Sequence, residues 1–304
     1  YSDSYFGWSV SLFSDWVLVG APRTRRTSAA WFGAAYLYSV ALGEKLYEIE
    51  PDDTTTEDAY YGSAVSLCGE NSIALIGAEA QHGSYSSKAG AVYVFNLGAT
   101  SAMYLQTLFA EDNQSDAKFG ASVACVESKA LVGAPSADDG LGAVYLFEMS
   151  GNNFAQRYKF SPANGRGNMY FGSSVALDGS RAVIGAPGYR VEIESLADDD
   201  WYYGWYDSTY PVGAAYVYDI VKLKQSSLLL GGDFSYQGQF GISVAISNDL
   251  ILVGAPGVDG SERNAGAAFL FDASTGTQVM KLVADSYEQT GIGTSVGLAG
   301  GNAL

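Results

Sequence analysis

Three phrases recur in fixed order along the chain, and they restrict its fold more than any other feature. In one copy they read Phe119-Gly120-Ala121-Ser122-Val123, then Ala130-Leu131-Val132-Gly133-Ala134-Pro135, then Gly142-Ala143-Val144-Tyr145-Leu146-Phe147. Other full copies open at Phe6-Gly7, Tyr61-Gly62, Phe171-Gly172 and Phe240-Gly241. Their middle phrases are Gly20-Ala21-Pro22, Gly77-Ala78-Glu79, Gly185-Ala186-Pro187 and Gly254-Ala255-Pro256, and their third phrases start at Gly33, Gly90, Gly213 and Gly266. A sixth copy opens at Ile292-Gly293 and stops at Leu304. Short β-branched and aromatic runs separated by glycine, proline and small polar residues have the lengths and turn chemistry of a β-meander.

The opening glycines at 7, 62, 120, 172, 241 and 293 lie 55, 58, 52, 69 and 52 residues apart. A period of this size, built from four strands, predicts an all-β fold, a β-propeller of four-stranded antiparallel blades. One such sheet cannot bury both of its faces without neighbours. The spans are 6–50, 61–110, 119–160, 171–231 and 240–284, with a partial blade at 292–304. They form a single domain 1–304 of five full repeats and a truncated sixth, six or seven blades in the intact protein. The pattern stops mid-unit, which predicts an interior piece of a longer polypeptide.

In the third copy the four strands are expected at 120–125, 129–133, 142–147 and 154–160. The first connection is a short polar turn in every copy, as at Glu127-Ser128, and forces antiparallel neighbours. The repeated glycines permit unusual backbone angles or close approach of another chain, while the aromatic ring supplies area buried between blades. Emptying such a ring position, as in Phe119→Ala, is expected to cost about 3–5 kcal/mol.

Composition agrees with a folded domain, at 48% hydrophobic and 16% charged residues. No apolar run of about 18 residues is present, so no direct membrane insertion by a helix is expected in this segment. Cys68 and Cys125 lie near the ends of equivalent first strands but one residue out of register. Alternation would then point them to opposite faces, which favours buried free thiols over a disulfide.

These phrases resemble FG-GAP repeats, the blade unit of integrin alpha-subunit propellers and of other secreted or surface proteins. The resemblance covers nearly the whole chain. It implies a propeller outside the cell or at its surface, used for contact with other macromolecules. Integrin-type blades often carry an Asp- and Asn-rich calcium loop between the Phe-Gly and Gly-Ala-Pro phrases. Here those turns are too short to hold one, and no D-x-[DN]-x-[DN]-G string occurs.

Charge is distributed unevenly. In a meander the loops joining second to third strands and the links between blades emerge on one face. That face holds 23 of the 33 acids against eight bases, a net of −15 within the whole chain's −17. It reads either as a solvated acidic rim or as a platform for divalent cations such as Ca2+, or for a basic partner. The sign of the field disfavours nucleic acid. Asp138, Asp139 and Asp259 are the metal candidates there.

The longest insertion lies on the same face and contains Asp198, Asp199, Asp200, Trp201, Tyr202, Tyr203, Trp205, Tyr206, Asp207 and Tyr210. Indole and phenol rings beside carboxylates suit contact with protein or glycan, so it is the candidate contact loop. A secondary, basic contact loop holds Arg23, Arg25, Arg26 and Trp31, suited to an acidic loop of a neighbouring molecule. Asn113 opens the sequon Asn113-Gln114-Ser115, a candidate for glycosylation.

The one histidine, His82, excludes a multi-histidine metal centre, and no phosphate-binding glycine loop is present. No catalytic constellation stands out. The expected function is a non-catalytic extracellular or cell-surface propeller, mediating protein–protein adhesion or building a surface assembly, with other proteins, glycans or further copies as partners. The alternative is a carbohydrate-binding module or polysaccharide-acting enzyme using the acidic and aromatic loops.

Overall fold

The computed structural model describes residues 4–25, 31–50, 57–69, 72–82, 87–151, 153–163, 165–192, 209–232, 237–258, 265–283, 291–299 and 302–303. They form five antiparallel four-stranded sheets. The first contains β1 (Ser9–Phe13), β2 (Trp16–Ala21), β3 (Ala34–Ser39) and β4 (Glu44–Ile49), and the second β5 (Tyr61–Leu67), β6 (Ile73–Ala78), β7 (Ala91–Leu97) and β8 (Ala102–Leu108). The third has β9 (Ser122–Val126), β10 (Lys129–Ala134), β11 (Ala143–Ser150) and β12 (Asn153–Phe160), with one turn of helix, α1 (Ala137–Gly140), between its middle strands.

In the fourth, β13 (Ser174–Asp178) and β14 (Arg181–Ala186) are followed by a two-stranded ribbon, β15 (Arg190–Glu192) and β16 (Thr209–Pro211), and then by β17 (Ala214–Asp219) and β18 (Lys224–Leu229). The fifth holds β19 (Ser243–Ser247), β20 (Leu250–Ala255), β21 (Ala267–Asp272) and β22 (Gln278–Leu282). A final pair, β23 (Leu298–Ala299) and β24 (Asn302–Ala303), opens the sixth copy. Every four-stranded sheet pairs its strands in chain order.

First strands of consecutive sheets lie against one another, whereas fourth strands of neighbouring sheets barely approach. The sheets therefore converge at one edge and diverge at the other, as blades do around an axis. Each third–fourth pair carries a β-bulge at one place, between Leu37 and Tyr38, Val94 and Phe95, Leu146 and Phe147, Val217 and Tyr218, and Leu270 and Phe271. Such bulges increase local twist, which suits a blade's outer half.

The repeated glycines are explained at the seams. Gly120 has φ +90°, and a Cβ built on it would come within 2.5 Å of the Ala91 carbonyl oxygen of the preceding blade. In the middle phrase, a Cβ on Gly133 would lie 2.1 Å from the Gly172 carbonyl oxygen of the following blade. Backbone meets backbone at both places, so no side chain fits. Single parallel bridges add to each seam, as between Gly90 and Phe119 and between Gly142 and Phe171.

The aromatic that opens each copy packs edge-on against its own third strand and is covered by the preceding blade. Phe119 lies 5.4 Å from Tyr145 and 6.0 Å from Phe147, and Phe171 lies 5.2 Å from Tyr216. Tyr61, Phe119, Phe171 and Phe240 are all buried, but Phe6 is 53% exposed, because no described sheet packs on that side of the first blade. The core is accordingly divided into clusters, each spanning one seam between consecutive blades.

The cysteines depart from expectation. Cys68 and Cys125 form a disulfide with Cα atoms 4.8 Å apart. Alternation holds along each strand but does not carry across a seam between blades. Neighbouring propeller sheets meet with opposite faces, so side chains one register step apart on equivalent strands face each other across a seam. Leu67 packs toward the first blade, while Cys68 packs toward the third and meets Cys125 there.

Candidate functional site

Second strands end and first strands begin on the face that carries the acidic loops. Between the first and second blades this face opens into a cleft of about 450 Å3. The first blade contributes Tyr5, Trp8 and Arg23, the second Tyr60 and Glu79, and the link into the third contributes Lys118. Arg23 is ordered by aromatic rings: its guanidinium lies 4.7 Å from the Tyr5 ring centre and 5.9 Å from that of Tyr60, and Nη1 donates to the Tyr5 hydroxyl at 3.3 Å. Burial pushes the Glu79 carboxyl above the usual carboxylate range, and the charge of Lys118 opposes that rise.

Tyr5, Tyr60 and Lys118 each precede a Phe-Gly or Tyr-Gly phrase and share left-handed backbone, with φ of 53°, 55° and 58°. Tyr170 and Gln239 hold the same place and conformation in the fourth and fifth copies. The left-handed turn is thus a property of the module, which presents a variable side chain at each blade's opening.

A polar node lies farther around the same face. Lys159 Nζ is 2.8 Å from Asp112 Oδ2 and 2.8 Å from Asp138 Oδ2, and the Tyr145 hydroxyl donates to Asp112 Oδ1 at 2.9 Å. Gln114 closes the node, donating to Asp138 Oδ1 at 2.7 Å and accepting from the Asp138 amide at 2.7 Å. Burial works against the charged form of Asp112, but hydrogen bonds from Lys159 and Tyr145 outweigh it and hold the carboxyl below its usual value. The Lys159 ammonium, likewise opposed by burial, is raised by its two carboxylate partners.

This node bears on the metal candidates. Asp138 already faces the Lys159 ammonium, and Asp139 is exposed beside it, while Asp259 lies outside the described residues. Among the described residues no three His, Cys, Asp or Glu side chains converge. The turn between β9 and β10 holds two residues, Glu127 and Ser128, and those between β13 and β14 and between β19 and β20 are equally short. They offer no set of oxygen donors, so the calcium loop of integrin-type blades does not fit here.

Of the secondary contact loop, Arg25 stacks on Trp31 with its guanidinium 3.8 Å from the ring centre, and the two residues form a backbone bridge. Arg26 lies outside the described residues, as do Asp198, Asp199, Asp200, Trp201, Tyr202, Tyr203, Trp205, Tyr206 and Asp207. Tyr210 falls in β16, where its backbone pairs with Val191. Asn113 is half-buried in a turn beside the polar node, its amide donating to the Ala110 carbonyl at 3.0 Å. The cleft brings Arg23 together with residues that sequence reasoning did not group. The available signal was departure from the chain's own repeat: Glu79 stands where other copies have Pro22, Pro135, Pro187 and Pro256.

The FG-GAP repeat family model matches residues 2–38, 104–147, 154–218 and 224–271, which is more than half of the chain. Three of these matches start in or beside a fourth strand, at β8, β12 and β18, and end in the third strand of the next blade. Residues 39–103, with most of the second blade and Glu79, fall between matches. No curated protein matches the chain. With its Phe-Gly and Gly-Ala-Pro glycines placed at successive blade seams and the family model matched four times along it, the chain belongs to the FG-GAP repeat family.

Proposed function

We propose that this propeller is a non-catalytic contact domain that works outside the cell or at its surface, binding protein partners or joining a surface assembly through its loop face. Propellers of the family generally mediate protein interactions and are generally non-catalytic. The Cys68–Cys125 bridge suits an oxidising compartment. The observation that carries the reading is how the repeat divides its residues. Its glycines and buried aromatics are taken up by the seams, while Glu79 and Lys118, which depart from the repeat, meet Arg23 in one cleft on the loop face.

Site-directed photo-crosslinking on intact cells tests this. A crosslinker placed at Arg25 on the loop face is expected to capture protein adducts, and one at Asn248, in the turns of the opposite face, is not. Equal capture from both faces, or none from Arg25, overturns the loop-face assignment.

A further inference from the structure

We infer that the cleft between the first and second blades receives a carboxylate on a peptide, an acidic side chain flanked by an apolar residue; this rests on the protein-contact reading above. Two departures from the repeat carry the inference. Glu79 replaces the proline of the other four full copies, and Lys118 replaces the tyrosine that opens the first, second and fourth copies, Tyr5, Tyr60 and Tyr170. Both line one cleft. The proline copies show that the blade does not need a carboxyl at this place, and a half-buried carboxylate carries a desolvation cost. Folding therefore does not explain the pair.

Charge defines what fits. Among the described lining residues, Arg23, Lys88 and Lys118 oppose Glu79 and Asp116, three bases against two acids, in a chain whose formal net charge is −17. The cleft thus offers an acidic segment a local excess of cations on an acidic chain. Arg23 is already ordered by Tyr5 and Tyr60, and it forms no ion pair with a described carboxylate. Its planar fork suits a carboxylate better than an ammonium would. Glu79 competes for the same cations and so limits the cleft to ligands that displace it.

The remaining walls are apolar or aromatic, with Trp8, Pro22 and Ala80 offering surface for a flanking side chain. Among the described lining residues, Ser63, the two phenols and the Trp8 indole N–H are the neutral polar groups, few for the hydroxyl ring of a sugar. The cleft volume lies within the ~300–1,000 Å3 of ordinary ligand pockets.

Isothermal titration of the intact chain tests the assignment. The probe is a blocked pentapeptide with a central aspartate between phenylalanine and leucine, alongside its asparagine twin and a galacturonate oligosaccharide. The aspartate peptide is expected to bind at least tenfold more tightly than its twin. Arg23→Gln and Lys118→Asn each weaken it at least fivefold; asparagine tolerates the left-handed backbone at 118. Glu79→Gln strengthens it several-fold, a gain that misfolding cannot produce, and Lys224→Gln, remote from the cleft, changes nothing.

Equal binding of the twins, no binding of either, retention of affinity in both cation variants, or binding of the galacturonate alone overturns the inference. If the peptides fail while crosslinks from Arg25 persist, the carboxylate assignment falls and the protein-contact reading stands.

Discussion

The Ser122 hydroxyl donates to the Gly172 carbonyl at 2.8 Å, joining the first strand of one blade to the opening glycine of the next. Ser9 does the same to Gly62 at 2.9 Å, Ser174 to Gly241 at 2.8 Å and Ser243 to Gly293 at 2.7 Å. The second blade breaks the series, because Ala64 stands at this place and offers no donor to Gly120. Ala64→Ser is therefore expected to stabilise the protein by about 0.5–1.5 kcal/mol, measured by denaturant unfolding. No gain would mean that this seam has no room for the bond.

Gly7 and Gly120 separate backbone strain from packing. Their φ angles are nearly equal, +87° and +90°, but a Cβ on Gly7 meets nothing within 4 Å, whereas one on Gly120 meets the Ala91 carbonyl oxygen at 2.5 Å. Alanine at either place carries the same conformational penalty, and only Gly120→Ala also forces two blades apart. Gly120→Ala is expected to destabilise by about 1–3 kcal/mol more than Gly7→Ala, the usual cost of overpacking. Equal losses in thermal or chemical unfolding would show that the seam yields freely.

The disulfide closes a loop with a sequence separation of 57 residues, for which chain entropy gives about 4 kcal/mol. The variant with both Cys68→Ala and Cys125→Ala is expected to lose up to that amount. Thiol titration of the denatured, unreduced protein should find no free thiol, and two after reduction. A reducing agent that leaves the melting temperature unchanged would mean that the bridge does not constrain the unfolded chain.

Stability should depend on pH through the Lys159 node. The folded pKa of Asp112 is lowered, so its contribution is present above the unfolded value of about 3.9 and is lost as pH falls through the lower folded value. That of Lys159 is raised, so its contribution is present below about 10.4 and is lost as pH rises past the folded value. Both partners are partly exposed, and solvent screening keeps the effect to about 1 kcal/mol or less. Comparing melting temperatures at pH 3 and pH 7, Asp112→Asn should show a smaller acid-induced drop than the parent. An identical drop would rule the node out.

Much of the fold could be read in the sequence because repetition acted as an internal control. Gly133 and Gly172 could be assigned to close backbone contacts since each recurs in register with an aromatic or a proline, and the strands at 129–133 and 142–147 were displaced by a few residues at most. The cysteines were misread because alternation was applied as if equivalent strands shared one sheet, although a seam joins opposite faces. The cleft stayed hidden because Arg23, Glu79 and Lys118 come from three segments that only blade stacking brings together. Lys159 was passed over for a related reason: its partners Asp112 and Asp138 are 47 and 21 residues away in the chain.

One asymmetry of the stacked sheets has a mechanical consequence. Glycine contacts, serine bonds and the disulfide sit where the first and second strands and the openings of the third strands meet the adjoining blade, whereas the fourth strands barely approach. A cross-tie near the periphery does exist: Gln106 exchanges a pair of 3.0 Å hydrogen bonds with the backbone of Phe154. The domain is built like a hand fan riveted at its pivot, so a pull on the rim spreads the leaves before it strips a strand from any of them.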